Sequence, residues 1–164
     1  MDWYVVLLVF LAVTAALDLF VGVSNDAVNF LNSALGCRIA SFRTVLWTAS
    51  AGVMLGATFS SGMMEVARSG VFHPQMFSFA EIMVIFLAVM VADILLLDTF
   101  NSLGLPTSTT VSIVFELLGS AVAAALFKLT SEGADWTAVA EFINSSKALA
   151  IVSGILISVA VAFV

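Results

Sequence analysis

Asp18, Asp26, Asp93, Asp98 and Glu116 all stand in or beside apolar runs. A charged group in lipid costs at least a few kcal/mol unless it is paired or faces a polar cavity, so each is a candidate for chemistry. For Asp93 and Asp98 the plainer account is a place near a helix end, within reach of water. The stretch from Asp18 to Gly36 says more. At 100° per residue, Asp18, Gly22, Asn25, Asp26, Asn29, Asn32, Ser33 and Gly36 fall within one sector of roughly 120°, while Val23, Ala27, Phe30 and Leu31 fall elsewhere. In a bilayer such a stripe must face the protein interior or a water-filled path. Asn and Ser alone could be glue between helices. An Asp among three Asn is more than glue requires, because carboxylate and amide oxygens are the hard ligands of small cations. The stripe is therefore a candidate ion site, with Asp26 as its carboxylate.

A second constellation lies between Asp98 and Glu116, where the segment 99–115 carries no charge. Gly104 and Pro106 break the preceding helix, and Pro suits the first turn of the next because its missing N–H is one a helix start cannot use. Thr107, Ser108, Thr109 and Thr110 then mark a helix start. Free backbone N–H groups, the positive dipole end and the hydroxyl donors converge there, an arrangement suited to phosphate, sulfate or a carboxylate. An N-cap at the membrane surface would explain the hydroxyls alone. The Asn/Asp segment in the same small chain makes an anion-plus-cation site the better account.

The elements that must carry these residues follow from composition. Of 164 residues 62% are hydrophobic and 10% charged, with a mean hydropathy of +1.19, against roughly 25% charge in a soluble domain. The chain reads as an all-α integral membrane protein, a multi-span bundle with interrupted helices. A barrel would show strict alternation over about ten residues, and Glu81 to Leu97 does not alternate. A net charge of −6 with five basic residues excludes a nucleic-acid surface and offers no strong patch for anionic lipid. The single Cys37 has no internal disulfide partner and reads as a packing residue. Asp2 and the long apolar run argue against a cleavable signal peptide.

Spans are expected at about 3–20, continuing interrupted to 36, then 44–63, 79–98, 107–127 and 148–164, with a loop at 64–78 carrying Glu65 and Arg68 and a polar loop at 128–147. Thirty-five helical residues would reach about 50 Å, beyond a hydrocarbon core of roughly 30 Å, so a break is expected at Gly22 and Ser24-Asn25-Asp26. Arg38 and Arg43 place the loop after the first span in the cytoplasm and the amino terminus outside. The apolar run still open at Val164 reads as the edge of a fragment.

Gly22-Val-Ser-Asn25-Asp26-Ala-Val-Asn29, followed by Ser33 and Gly36, resembles the Asn-Asp-x-x-Asn signature of the inorganic phosphate transporter (PiT) family. Gly104-Leu-Pro106-Thr-Ser108-Thr109-Thr110 resembles that family's Gly-x-Pro-x-Ser-Thr-Thr segment. Two departures stand out: Val111 occupies a position where the family often has His, and Val23 one where it usually has Gly, with Gly22 one place earlier. The resemblance implies one half of an inverted-repeat transporter, working with a missing carboxy-terminal half. It implies that Ser108, Thr109 and Thr110, with Thr107 beside them, hold inorganic phosphate, and that Asn25, Asp26 and Asn29 hold a coupling cation, sodium or a proton, without a further cofactor and without enzymatic chemistry. The expected setting is the lipid bilayer of a bacterial inner (plasma) membrane, with a homo-oligomer left open. A sulfate or other oxyanion permease is the near alternative. An intramembrane aspartyl protease built on Asp26 with Asp93 or Asp98 is the distant one, since such a mechanism needs two carboxyls sharing a proton but neither the Asn stripe nor the hydroxyl helix start. A structural subunit without substrate would leave the buried acids unexplained.

Overall fold

The computed structural model describes residues 3–61, 65, 70–105 and 107–163. Arg68, Pro106, Val164 and the expected end of the second span at 62–63 lie outside the described residues. The helices are α1 (Trp3–Gly36), α2 (Phe42–Thr58), α3 (Phe79–Leu103), α4 (Thr109–Glu132), the single turn α5 (Val139–Phe142) and α6 (Ser145–Ala162), with short 3-10 turns at Pro74–Met76 and Trp136–Ala138. Among the described residues the only extended pairing is an isolated bridge between Phe72 and Ile143. Among the described residues four helices, α1, α3, α4 and α6, are long and apolar enough to cross a membrane. Helix α2 has 17 residues, about 25 Å at the helical rise.

The expected break in α1 does not occur: Trp3–Gly36 is one helix of 34 residues. The reason lies in where the polar side chains find partners. Ser24 Oγ donates back to the Phe20 carbonyl at 2.8 Å, within the same helix, whereas Asn25 and Asn29 bond to other segments. None of the three takes a backbone group away from the helical ladder, which is how such residues unwind helices. Gly22 serves contact instead, since a Cβ there would meet Leu97 Cδ1 at 3.8 Å. The helix therefore exceeds the bilayer core by tilt or projection.

Helices α3 and α4 form an antiparallel hairpin, and α1 packs chiefly on α3. Helix α3 begins with a capping box: Ser78 Oγ accepts from Glu81 N–H at 3.3 Å, and Glu81 Oε2 accepts from Ser78 N–H at 2.6 Å. It runs past Asp98 to Leu103, where Gly104 takes a left-handed φ of 68°. There the Gly104 and Leu105 N–H groups donate to Asn101 and Phe100 carbonyls, a closure for which glycine is the natural residue. Helix α4 starts at Thr109 with Ser108 as N-cap, its Oγ accepting from Val111 N–H at 3.4 Å.

That helix continues five residues beyond the expected end at 127, to Glu132. The polar residues there are accommodated without leaving the helix. Thr130 and Ser131 hydroxyls donate to the Leu126 and Phe127 carbonyls. Lys128 reaches the Met76 carbonyl at 3.0 Å and Glu81 at 3.4 Å, tying the end of α4 to the start of α3.

The segment after α4 folds back on the same end of the hairpin. His73 N–H donates to the Phe142 carbonyl and Asn144 N–H to the Val71 carbonyl, so 71–73 and 142–144 clamp together. Phe72, Phe77 and Phe142 stack edgewise beneath this clamp, with ring centres 5.7 and 5.2 Å apart. They extend a core of Ile85, Val89, Val114, Leu117, Ala121 and Ala125 between α3 and α4. The small residues let these helices approach closely, as membrane helices do. Large apolar side chains such as Phe20, Trp47, Phe127 and Leu149 stand exposed on the outer surface, as expected of residues that meet lipid.

Candidate functional site

The polar stripe of α1 faces the junction between α3 and α4. Going down α1 it meets three groups of partners in turn. First, the carboxyls of Asp18 and Asp93 face each other with Glu116 beside them. Ser112 bridges Asp93 and Glu116, its Oγ lying 2.6 Å from Asp93 Oδ1 and 2.9 Å from Glu116 Oε1. Asp93 is 2% exposed. Its position mid-helix, with α3 continuing ten residues beyond it, overturns the expectation that it lies near a helix end and reaches water. Asp98 is exposed, five residues before the end of α3.

Two turns further on, Asn25 is fully buried and its Nδ2 donates to Asn101 Oδ1 at 2.8 Å. The Asn25 Oδ1 is buried without a hydrogen-bond partner among the described residues. A cavity of about 60 Å³ adjoins the pair, lined by Asn25, Val28, Asn101, Gly104 and Leu105.

The third group joins the two motifs directly. Thr109 Oγ1 donates toward Asp26, 3.2 Å from both carboxylate oxygens. Asn29 Nδ2 donates to the Thr107 carbonyl at 3.0 Å. Asp26 thus stands at the first residue of α4, where the helix dipole and free N–H groups favour negative charge. Ser108 and Thr110 are exposed beside it. The Ser108 oxygen accepts the cap bond, leaving its O–H proton free to donate outward. Asn32, Ser33 and Gly36 continue the stripe but are exposed, so only its first three turns are covered by α3 and α4.

The expected cation and anion residues are therefore neighbours rather than separate sites. Chemically, the start of α4 offers hydroxyl and N–H donors for a tetrahedral anion, and the facing side of α1 offers carboxylate and amide oxygens for a cation. The aspartyl pair proposed from sequence is not assembled: Asp26 bonds Thr109, Asp93 bonds Ser112 and Asp98 is exposed. Two participants were not singled out from sequence, Asn101 and Ser112. Their only signals were an amide in the last turn of an apolar helix and a hydroxyl one turn before Glu116.

A model of the phosphate transporter family matches residues 22–164, which takes in both the Asn/Asp segment and the hydroxyl helix start. No curated protein and no solved structure matches the chain.

Proposed function

This chain belongs to the phosphate transporter family, and from that premise we propose that it carries out cation-coupled uptake of inorganic phosphate through the junction of α1 with the start of α4. The observation that carries the reading is the contact of Thr109 with Asp26. Phosphate is held by donors at the start of α4, from Ser108, Thr109 and Thr110 with Thr107 at the rim. Asn25, Asp26 and Asn29 hold the coupling cation, sodium or a proton.

Bringing a multiply charged anion beside Asp26 in a low-dielectric setting is unfavourable on its own. A cation bound at Asp26 removes that repulsion, so phosphate and cation load together. No bond is made or broken. The substrate enters and leaves by alternate exposure of the junction, with a second copy of the motif pair, from another half or another subunit, completing the enclosure. In this reading the protein is a multi-pass protein of the bacterial inner membrane, its amino terminus outside and the Arg38–Arg43 loop in the cytoplasm.

The test is radiolabelled phosphate uptake into proteoliposomes under an inward sodium gradient, a proton gradient or neither, with sulfate and arsenate as competitors. Saturable uptake that follows one gradient and is blocked by arsenate supports the reading. Uptake indifferent to both gradients, or blocked by sulfate as well as by phosphate itself, overturns it.

A further inference from the structure

Asn25 is 1% exposed, yet only half of its amide is engaged. Its Nδ2 is taken by Asn101 Oδ1, and its Oδ1 is buried with no hydrogen-bond partner among the described residues. A carbonyl oxygen shut away from water and left single is costly, and a bound ion removes that cost. The adjoining cavity of about 60 Å³ is the size for one small ion with a water. Gly104 and Leu105, which line it, lie at the carboxyl end of α3, the negative end of that helix's dipole. Amide oxygen, helix dipole and cavity size all select a small cation over an anion.

We propose that Asn101 is a positioning residue for a cation held at this cavity: by accepting from Asn25 Nδ2 it locks the Asn25 amide with its carbonyl oxygen turned to the ion. Without that acceptor the amide is free to rotate, and the oxygen and nitrogen exchange places. The inference rests on the cation-coupled reading above and adds to it a residue from outside both motifs.

The experiment uses the full chain in proteoliposomes, with phosphate uptake measured across a sodium series and, in parallel, a pH series. Asn101→Leu should raise the half-saturating cation concentration tenfold or more, with the half-saturating phosphate concentration at saturating cation changed less than twofold. Asn101→Asp is an acceptor only, so it still obliges Asn25 to donate, and it should recover most of the cation affinity lost in the Leu variant. In an Asn25→Ala background, Asn101→Leu should add no further loss, because its effect passes through the Asn25 amide. Should Asn101→Leu not fold, Asn101→Ala carries the same expectation. Unchanged cation dependence in these variants, an Asp variant as impaired as Leu, or additive losses in the double variant would overturn the proposal while leaving cation coupling intact. Wild-type uptake indifferent to both sodium and pH would overturn the coupling and this proposal together.

Discussion

Thr109 Oγ1 lies 3.2 Å from both carboxylate oxygens of Asp26, eighty-three residues away in sequence. The carboxylate occupies the ground at the start of α4 that an anion would take. On the proposed reading, phosphate binding there is accompanied by a change at Asp26, through neutralisation or displacement.

Asp26→Asn keeps the shape and an acceptor for Thr109 but removes the charge. Cation-driven accumulation of phosphate should be lost, while the melting temperature of the detergent-solubilised protein stays within a few degrees of wild type. Accumulation against a gradient by this variant would show that Asp26 is not the coupling carboxylate.

Thr109→Val removes the hydroxyl and preserves the β-branched shape. Hydrogen bonds to charged groups contribute about 1.5–3 kcal/mol, so phosphate affinity should fall by roughly ten- to 150-fold. Initial rates across a phosphate series measure this directly, and an unmoved half-saturation would confine Thr109 to packing.

Ser108 has two roles, cap and donor, that two substitutions separate. Ser108→Ala should lower both stability, by about 1 kcal/mol, and phosphate affinity, whereas Ser108→Gly should cost only a few tenths of a kcal/mol in stability with the same loss of affinity. Thermal melting and uptake on the same preparations give both numbers.

Glu116→Gln removes one of the two carboxyls that Ser112 bridges while keeping an acceptor for its hydroxyl. Its new amide protons can bond Asp93 or Asp18. Like charges at such separations repel by up to a few kcal/mol at an effective dielectric of about 20, so the variant should melt higher than wild type at pH 8. A lower melting temperature would mean that the Glu116 carboxyl holds the cluster together.

The polar face of α1 was legible because the helical period forces residues four apart onto one side, and the first three turns of that stripe do meet α3 and α4. The hydroxyl start of α4 was legible from Gly104 and the run of Ser and Thr. Continuity of α1 was not, since Gly22 and Ser24-Asn25-Asp26 look like a helix break until the partners of the polar stripe are known. Two of those partners, Asn101 and Thr107, are 76 and 78 residues distant. The end of α4 was missed for a related reason: Lys128 looks like an exit to water, but it is satisfied by Met76 and Glu81 across the hairpin. Local pattern marks which residues need a partner, and only the packed fold says which residue supplies it.

The unbroken course of α1 makes it a lever. Asp18 and Asn29 ride on the same rod, separated by about 16 Å along its axis at 1.5 Å per residue. With 34 residues the rod is about 50 Å long, so a ten-degree swing about its amino end would move Asp18 by about 4 Å and Asp26 by about 6 Å. That stroke is longer than any of the side-chain hydrogen bonds that hold α1 to its neighbours. Releasing Asp26 from Thr109 at one point of the rod and shifting Asp18 against Asp93 at another are thus strokes of one mechanical part, with no joint between them to absorb the motion.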